Sequence, residues 1–260
     1  MTDDTTGFEN RPRWRYLSHL AVGSTLLVGV GVVALAVVWS GGPSTAFLVG
    51  VAITFALTLL VVVWVCSQSP AGALKRSVSG ATWITIARAS GVAILGGFLV
   101  GGVPTAGSVR QLDGWLPGIL FALVAVLDAV DGPVARGTDS VTRLGGRLDT
   151  EIDGLTVLVG TVLVVANGLA PRFFLVAGLA RYAFVAAVAV WHARGRTVLE
   201  LDENRVRGVL GALVLCVVWI ALLPVAGPST TRLLATIVLL PFLANFLRDW
   251  LVVTGRYHPQ

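Results

Sequence analysis

Eight apolar stretches, each near the roughly 20 residues that a helix needs to cross a bilayer, dominate this sequence. They run approximately over residues 17–40, 45–66, 82–102, 115–133, 147–168, 173–193, 207–226 and 232–253. Breaks fall at Gly41-Gly42-Pro43, Ser69-Pro70, Gly101 to Gly114, Gly168 to Pro171 and Gly227-Pro228, where glycine and proline interrupt helical periodicity. Only 13% of residues are charged and the mean hydropathy is +0.84, whereas soluble domains carry about 25% charge. The expected fold class is therefore an all-α polytopic membrane protein. The N-terminal Met1–Tyr16 is polar and holds Asp3, Asp4 and Glu9, unlike a cleaved signal peptide. Cys66 and Cys216 lie within apolar stretches and read as small core residues, not as a disulfide or a metal pair. The net charge of +5 comes from arginines spread over short loops, which argues against nucleic acid as a partner.

The distribution of those cations predicts an orientation. Arg11, Arg13, Arg15, Lys75, Arg76, Arg136, Arg143, Arg147, Arg194, Arg196, Arg205, Arg207 and Arg256 fall on one side of the membrane, and Arg110, Arg172 and Arg232 on the other. Thirteen against three places both termini, and the loop after Asp128, in the cytoplasm.

That loop follows the uncharged run Leu116–Leu127 and opens a series of acids: Asp128, Asp131, Asp149 and Asp153. A carboxylate at the centre of a bilayer costs about 2.5–3.5 kcal/mol on insertion scales, so several at one depth require compensation. Asp128, Asp131 and Ala135 stand at i, i+3 and i+7, one helical face, and Gly145, Asp149 and Asp153 at i, i+4 and i+8 on a second. The two faces can converge, each offering two carboxylates to one divalent cation. All-oxygen ligation of this kind suits Mg²⁺ or Mn²⁺.

The same residues fill D-x2-D-G-x2-A-R-x8-G-x3-D-x3-D without a gap: Asp128, Asp131, Gly132, Ala135, Arg136, Gly145, Asp149 and Asp153. The chain thereby resembles the CDP-alcohol phosphotransferases, which make phospholipids from CDP-activated alcohols, and the likeness extends over roughly residues 75–255. It implies a six-helix catalytic core, residues 75–260, preceded by a cytoplasmic tail and two-helix transmembrane extension, residues 1–74. In the family's P-N-x-x-T-x-x-R segment, Thr85 and Arg88 match, while Thr82 stands where asparagine is usual and Gly80-Ala81 replace the proline. Arg88 is read either as an interfacial snorkelling residue or as a functional one.

The implied reaction is attack of an alcohol hydroxyl on the β-phosphorus of a CDP-lipid, with release of CMP. By the resemblance, Asp128, Asp131 and Asp149 hold one or two Mg²⁺ or Mn²⁺ ions, and Asp153 is the candidate base, with a possible touch on the second ion. An ordinary aspartate is a weak base at neutral pH, so this role depends on its surroundings. The nucleotide is expected against Asp128, Gly132, Ala135, Arg136, Gly145 and Thr85, the small residues sparing room for it. Arg136 pairs with a phosphate or with one of the acids, and both options stand. Arg181, inside the sixth stretch, lines an acceptor pocket or pairs with an acid of the motif. Together with Arg205 and Arg207 it points to a phosphorylated acceptor such as glycerol phosphate or inositol phosphate. A homodimer is the family's usual state. Asp249 is expected to pair locally, beside Arg248. A UbiA-type prenyltransferase would separate its aspartate motifs much further along the chain, and an ion-coupled transporter would repeat broken helices in two halves.

Overall fold

The computed structural model describes residues 6–69, 80–104, 111–137, 142–196, 199 and 205–256, with the side chains of 6–13, 111 and 131–137 outside that description. Among the described residues all regular structure is helical: α1 (Thr6–Val38), α2 (Thr45–Ser67), α3 (Gly80–Leu95), α4 (Gly97–Gly101), α5 (Leu116–Gly137), α6 (Arg143–Ala166), α7 (Leu175–Ala193), α8 (Arg205–Leu222) and α9 (Pro228–Val253), with 3-10 turns at Gln111–Trp115 and Arg172–Phe174. Seven segments among the described residues are long and apolar enough to cross a membrane, α3 and α4 together forming one of them, Gly80–Gly101. The eighth expected stretch is α6. Its first three turns carry Arg143, Arg147, Asp149, Glu151 and Asp153, and its apolar character begins only beyond them. Helix α1 starts well before its apolar portion, taking in part of the polar N-terminus.

The chain divides into two compact units, Met1–Leu155 and Thr156–Gln260. In the first, α3 is the central element, with α1, α2 and α5 packed on it. The turn after α1 uses Gly42 at φ +64°, and Ser44 caps α2 by accepting the Phe47 N–H at 3.1 Å. The break between α3 and α4 falls at Gly96, where α2 passes too close for an ordinary side chain. A Cβ on Gly50 would lie 2.6 Å from the Gly96 carbonyl oxygen, and one on Gly96 would lie 1.9 Å from the Thr54 hydroxyl. This glycine seam lets two membrane helices approach through their backbones, and Trp39, Phe47 and Phe98 close its outer end in edge-to-face and tilted contacts. There the buried Asp113 accepts from the backbone N–H of Ser40 at 3.2 Å and from its hydroxyl, joining the end of α1 to the 3-10 turn before α5. At the opposite end Tyr16, Leu20, Val62, Val65, Cys66, Ile86, Leu144 and Leu148 form one apolar cluster, which fixes the first turns of α6 against α1, α2 and α3.

In the second unit α8 packs on α9, and α7 meets α9 through Phe184 against Phe246 and Trp191 against Trp250. Pro228 opens α9 as its first residue, where a missing N–H costs nothing. Arg207 Nε donates to Asp249 at 2.8 Å and Asn245 Nδ2 to the same carboxylate at 3.2 Å. Asp249 thus pairs across to α8 and not locally with Arg248. Cys66 is buried as expected, but Cys216 is exposed on α8. In a bilayer an apolar helix face need not be a core face, since lipid accepts it equally well.

Candidate metal centre

The acids are brought together by two helix faces already fixed by apolar packing. On α5, Phe121 and Val124 are buried, and Asp128 continues the same stripe at i+7 from Phe121. Val124 lies in the notch at Gly91 of α3, 2.5 Å from where a Cβ would be. Arg88, one turn earlier on α3, therefore meets Asp128, one turn later on α5. On α6, Leu144, Leu148, Ile152 and Leu155 are buried at helical spacing. Asp149 and Asp153 each follow one of these anchors by a single residue, about 100° further round the helix, and are turned toward the same arginine.

Arg88 is 1% exposed, the largest fully buried side chain among the described residues. Its Nη2 contacts Asp128 Oδ1 at 2.7 Å and also Asp153 Oδ1, and its Nη1 lies 2.5 Å from Asp149 Oδ1. The three carboxylates keep side-chain exposures of 41%, 40% and 48% for Asp128, Asp149 and Asp153, against 2% for Arg88. The guanidinium is therefore a floor and the acids are the walls of a site open on the far side. A buried guanidinium without anions is strongly unfavourable, and a cluster of acids without a cation equally so. Each supplies part of what the other requires.

Compensation is incomplete. Three carboxylates contribute −3 and one guanidinium +1, leaving −2. Asp128, Asp149 and Asp153 can present ligand oxygens that all lie within 4.8 Å of one another. An all-carboxylate donor set with that residual charge fits a hard divalent cation. Among the described residues, cysteine and histidine, which favour zinc, contribute nothing to this cluster.

The other expected site residues are placed as follows. Asp131, Gly132, Ala135 and Arg136 lie on the last turns of α5, and their side chains fall outside the described residues. Gly145 is in the first turn of α6, its N–H donated to Thr142 Oγ1 at 3.0 Å. Thr85 is 2% exposed and gives its hydroxyl to the Ala81 carbonyl at 3.1 Å, one turn before Arg88. Arg181, on α7, and Arg205 and Arg207, on α8, belong to the second unit. Arg207 is already engaged by Asp249. The residue that sequence reasoning undervalued is Arg88. Its signal was the Thr85-x-x-Arg88 pair inside an apolar stretch, which spacing alone could not separate from a snorkelling arginine.

Comparison with known proteins places these features. The sequence model of the CDP-alcohol phosphatidyltransferase family matches residues 78–254. A curated relative, archaetidylinositol phosphate synthase of Pyrococcus horikoshii, is 47% identical over 51 residues, 18% of this chain and 27% of that protein. The chain thus aligns with about a quarter of that relative's length. No solved structure matches this chain.

Proposed function

The chain belongs to the CDP-alcohol phosphatidyltransferase family, and from that membership we propose that it transfers a phosphatidyl-type group from a CDP-lipid to a hydroxyl acceptor, releasing CMP. The observation that carries this reading is the convergence of Asp128 from α5 with Asp149 and Asp153 from α6 on one side of Arg88. A lipid phosphoryl transfer needs charge neutralisation, alignment and a proton acceptor at the membrane surface. The two helices supply positions for all three.

In this reading Asp128, Asp131 and Asp149 hold Mg²⁺ or Mn²⁺, in one or two ions. When bound, the ion neutralises the pyrophosphate and steadies the leaving CMP. Arg88 fixes one oxygen of Asp128, of Asp149 and of Asp153 from below, so each carboxylate presents its other oxygen in a set direction. Asp153 takes the acceptor's proton on Oδ2, the oxygen that Arg88 does not contact. The acceptor oxygen then bonds to the β-phosphorus, the bond from that phosphorus to the bridging oxygen breaks, and CMP leaves with the bridging oxygen. Gly132, Ala135 and Gly145 leave room for the nucleotide, with Thr85 and Arg136 beside it. Arg181, Arg205 and Arg207 belong to the acceptor side, and the relative named for archaetidylinositol phosphate supports inositol phosphate ahead of glycerol phosphate there. The excess of cations on the motif side supports a cytoplasmic site in a multi-pass membrane protein. Residues 1–74 form the extension and residues 75–260 the catalytic core.

Purified protein incubated with a CDP-lipid, Mg²⁺ and a panel of inositol phosphate, glycerol phosphate, inositol and serine is expected to release CMP with a phosphorylated acceptor. CMP release with serine or free inositol alone would overturn the assignment of the three arginines. We further assign a homodimer, the usual state of the family. Native mass measurement in nanodiscs is expected to give two chains, and an active monomer would contradict it.

A further inference from the structure

Arg88 reaches the three acids from α3, although it lies outside the signature that contains them. Its two terminal nitrogens sit among the Oδ1 atoms of Asp128, Asp149 and Asp153. Those carboxylates can bring ligand atoms within 4.8 Å of one another. A magnesium-sized ion binds oxygen at about 2.0–2.1 Å. An ion held by the free oxygens of these carboxylates would thus sit within a few ångström of the guanidinium fork. Two like-charged groups that close repel one another in a partly buried setting, where Coulomb repulsion is weakly screened. We propose that Arg88 is an internal counter-cation whose charge opposes divalent ions at the Asp128, Asp149 and Asp153 cluster, and that it holds α5 and α6 on α3 when ions are scarce. This rests on reading the cluster as the divalent-cation site.

The energetics favour the role. Three carboxylates drawn from two helices repel one another, and without a cation the first turns of α6 would be driven off α3. Arg88 is 1% exposed, and the neighbouring notch at Gly91 seats Val124 of α5. It cannot withdraw into water. Of the two readings open from its sequence position, snorkelling and functional, the first does not fit, because its charged end meets three acids and not the interface. Its charge offsets one of the three acidic charges and leaves two for the ion, so that binding is possible but weakened.

The test uses the full chain in nanodiscs, stripped of divalent ions, in wild-type, Arg88→Gln and Arg88→Lys forms. Mn²⁺ affinity is read by calorimetry or electron paramagnetic resonance without nucleotide, and thermal stability is read in EDTA. Arg88→Gln is expected to bind Mn²⁺ about tenfold or more tightly, the order expected from removing a unit charge a few ångström away. The same variant should unfold at lower temperature in EDTA and recover on adding Mn²⁺. Arg88→Lys, which keeps the charge and loses the fork, should fall between, and it serves if the glutamine form does not fold. These opposite signs are not expected of a purely structural arginine, whose loss would lower both quantities. Mn²⁺ binding equal to or weaker than wild type in both variants overturns the inference and leaves the metal centre standing. No Mn²⁺ binding in the wild type would remove the metal centre and the inference together.

Discussion

Asp153→Asn is expected to retain binding of CDP-lipid and metal while losing turnover by about 10²–10⁴-fold, the usual range for a general base. The substitution keeps the shape of the side chain and its ability to accept from Arg88, so the floor of the site remains in place. What it removes is the proton acceptor. Asp128→Asn and Asp149→Asn should behave differently, weakening metal and nucleotide binding together, since these residues are assigned to the ion. Calorimetry with CDP or CMP separates the two patterns, and CMP release measures turnover. If Asp153→Asn loses metal and nucleotide affinity as fully as Asp128→Asn, the division of roles fails. The acids would then act as one cage, and the acceptor's proton would leave by another route.

Removing divalent ions should have an effect at least as large. A metal at a transferring phosphoryl group contributes several kcal/mol of charge stabilisation, so excess EDTA is expected to cut CMP release by about three orders of magnitude or more. Mg²⁺ or Mn²⁺ should restore it. Zn²⁺ should restore little, because the acid cluster offers it only carboxylate oxygen. Arg88 alone cannot substitute, as it leaves two of the three acidic charges unbalanced. Full turnover in EDTA would contradict the metal-centred reading.

The parts of this protein that were legible in its sequence are those governed by local periodicity. The bounds of α2 follow from hydropathy and from the breaks at Gly41-Gly42-Pro43 and Ser69-Pro70, and they fall at Thr45 and Ser67. That Asp149 and Asp153 share one face of α6 follows from their i, i+4 spacing. Partners that lie far apart in the chain were not legible. Arg88 lies 61 residues from Asp149 and 65 from Asp153, and Arg207 lies 42 from Asp249. Nothing in a helix's own spacing says which neighbour it faces. The close approach at Gly96 was not legible because its partners, Gly50 and Thr54, lie on another helix. Cys216 was misjudged because burial in protein and burial in lipid select the same apolar residues.

The most direct test follows the phosphorus. A CDP-lipid labelled at the β-phosphorus is given to the purified protein with Mn²⁺ and inositol phosphate. The label is expected in the lipid product, with CMP unlabelled, because the acceptor oxygen bonds to that atom and CMP departs with the other phosphorus. Label released with the nucleotide as CDP would place the attack elsewhere and contradict the assignment of Asp128, Asp149 and Asp153 to this transfer.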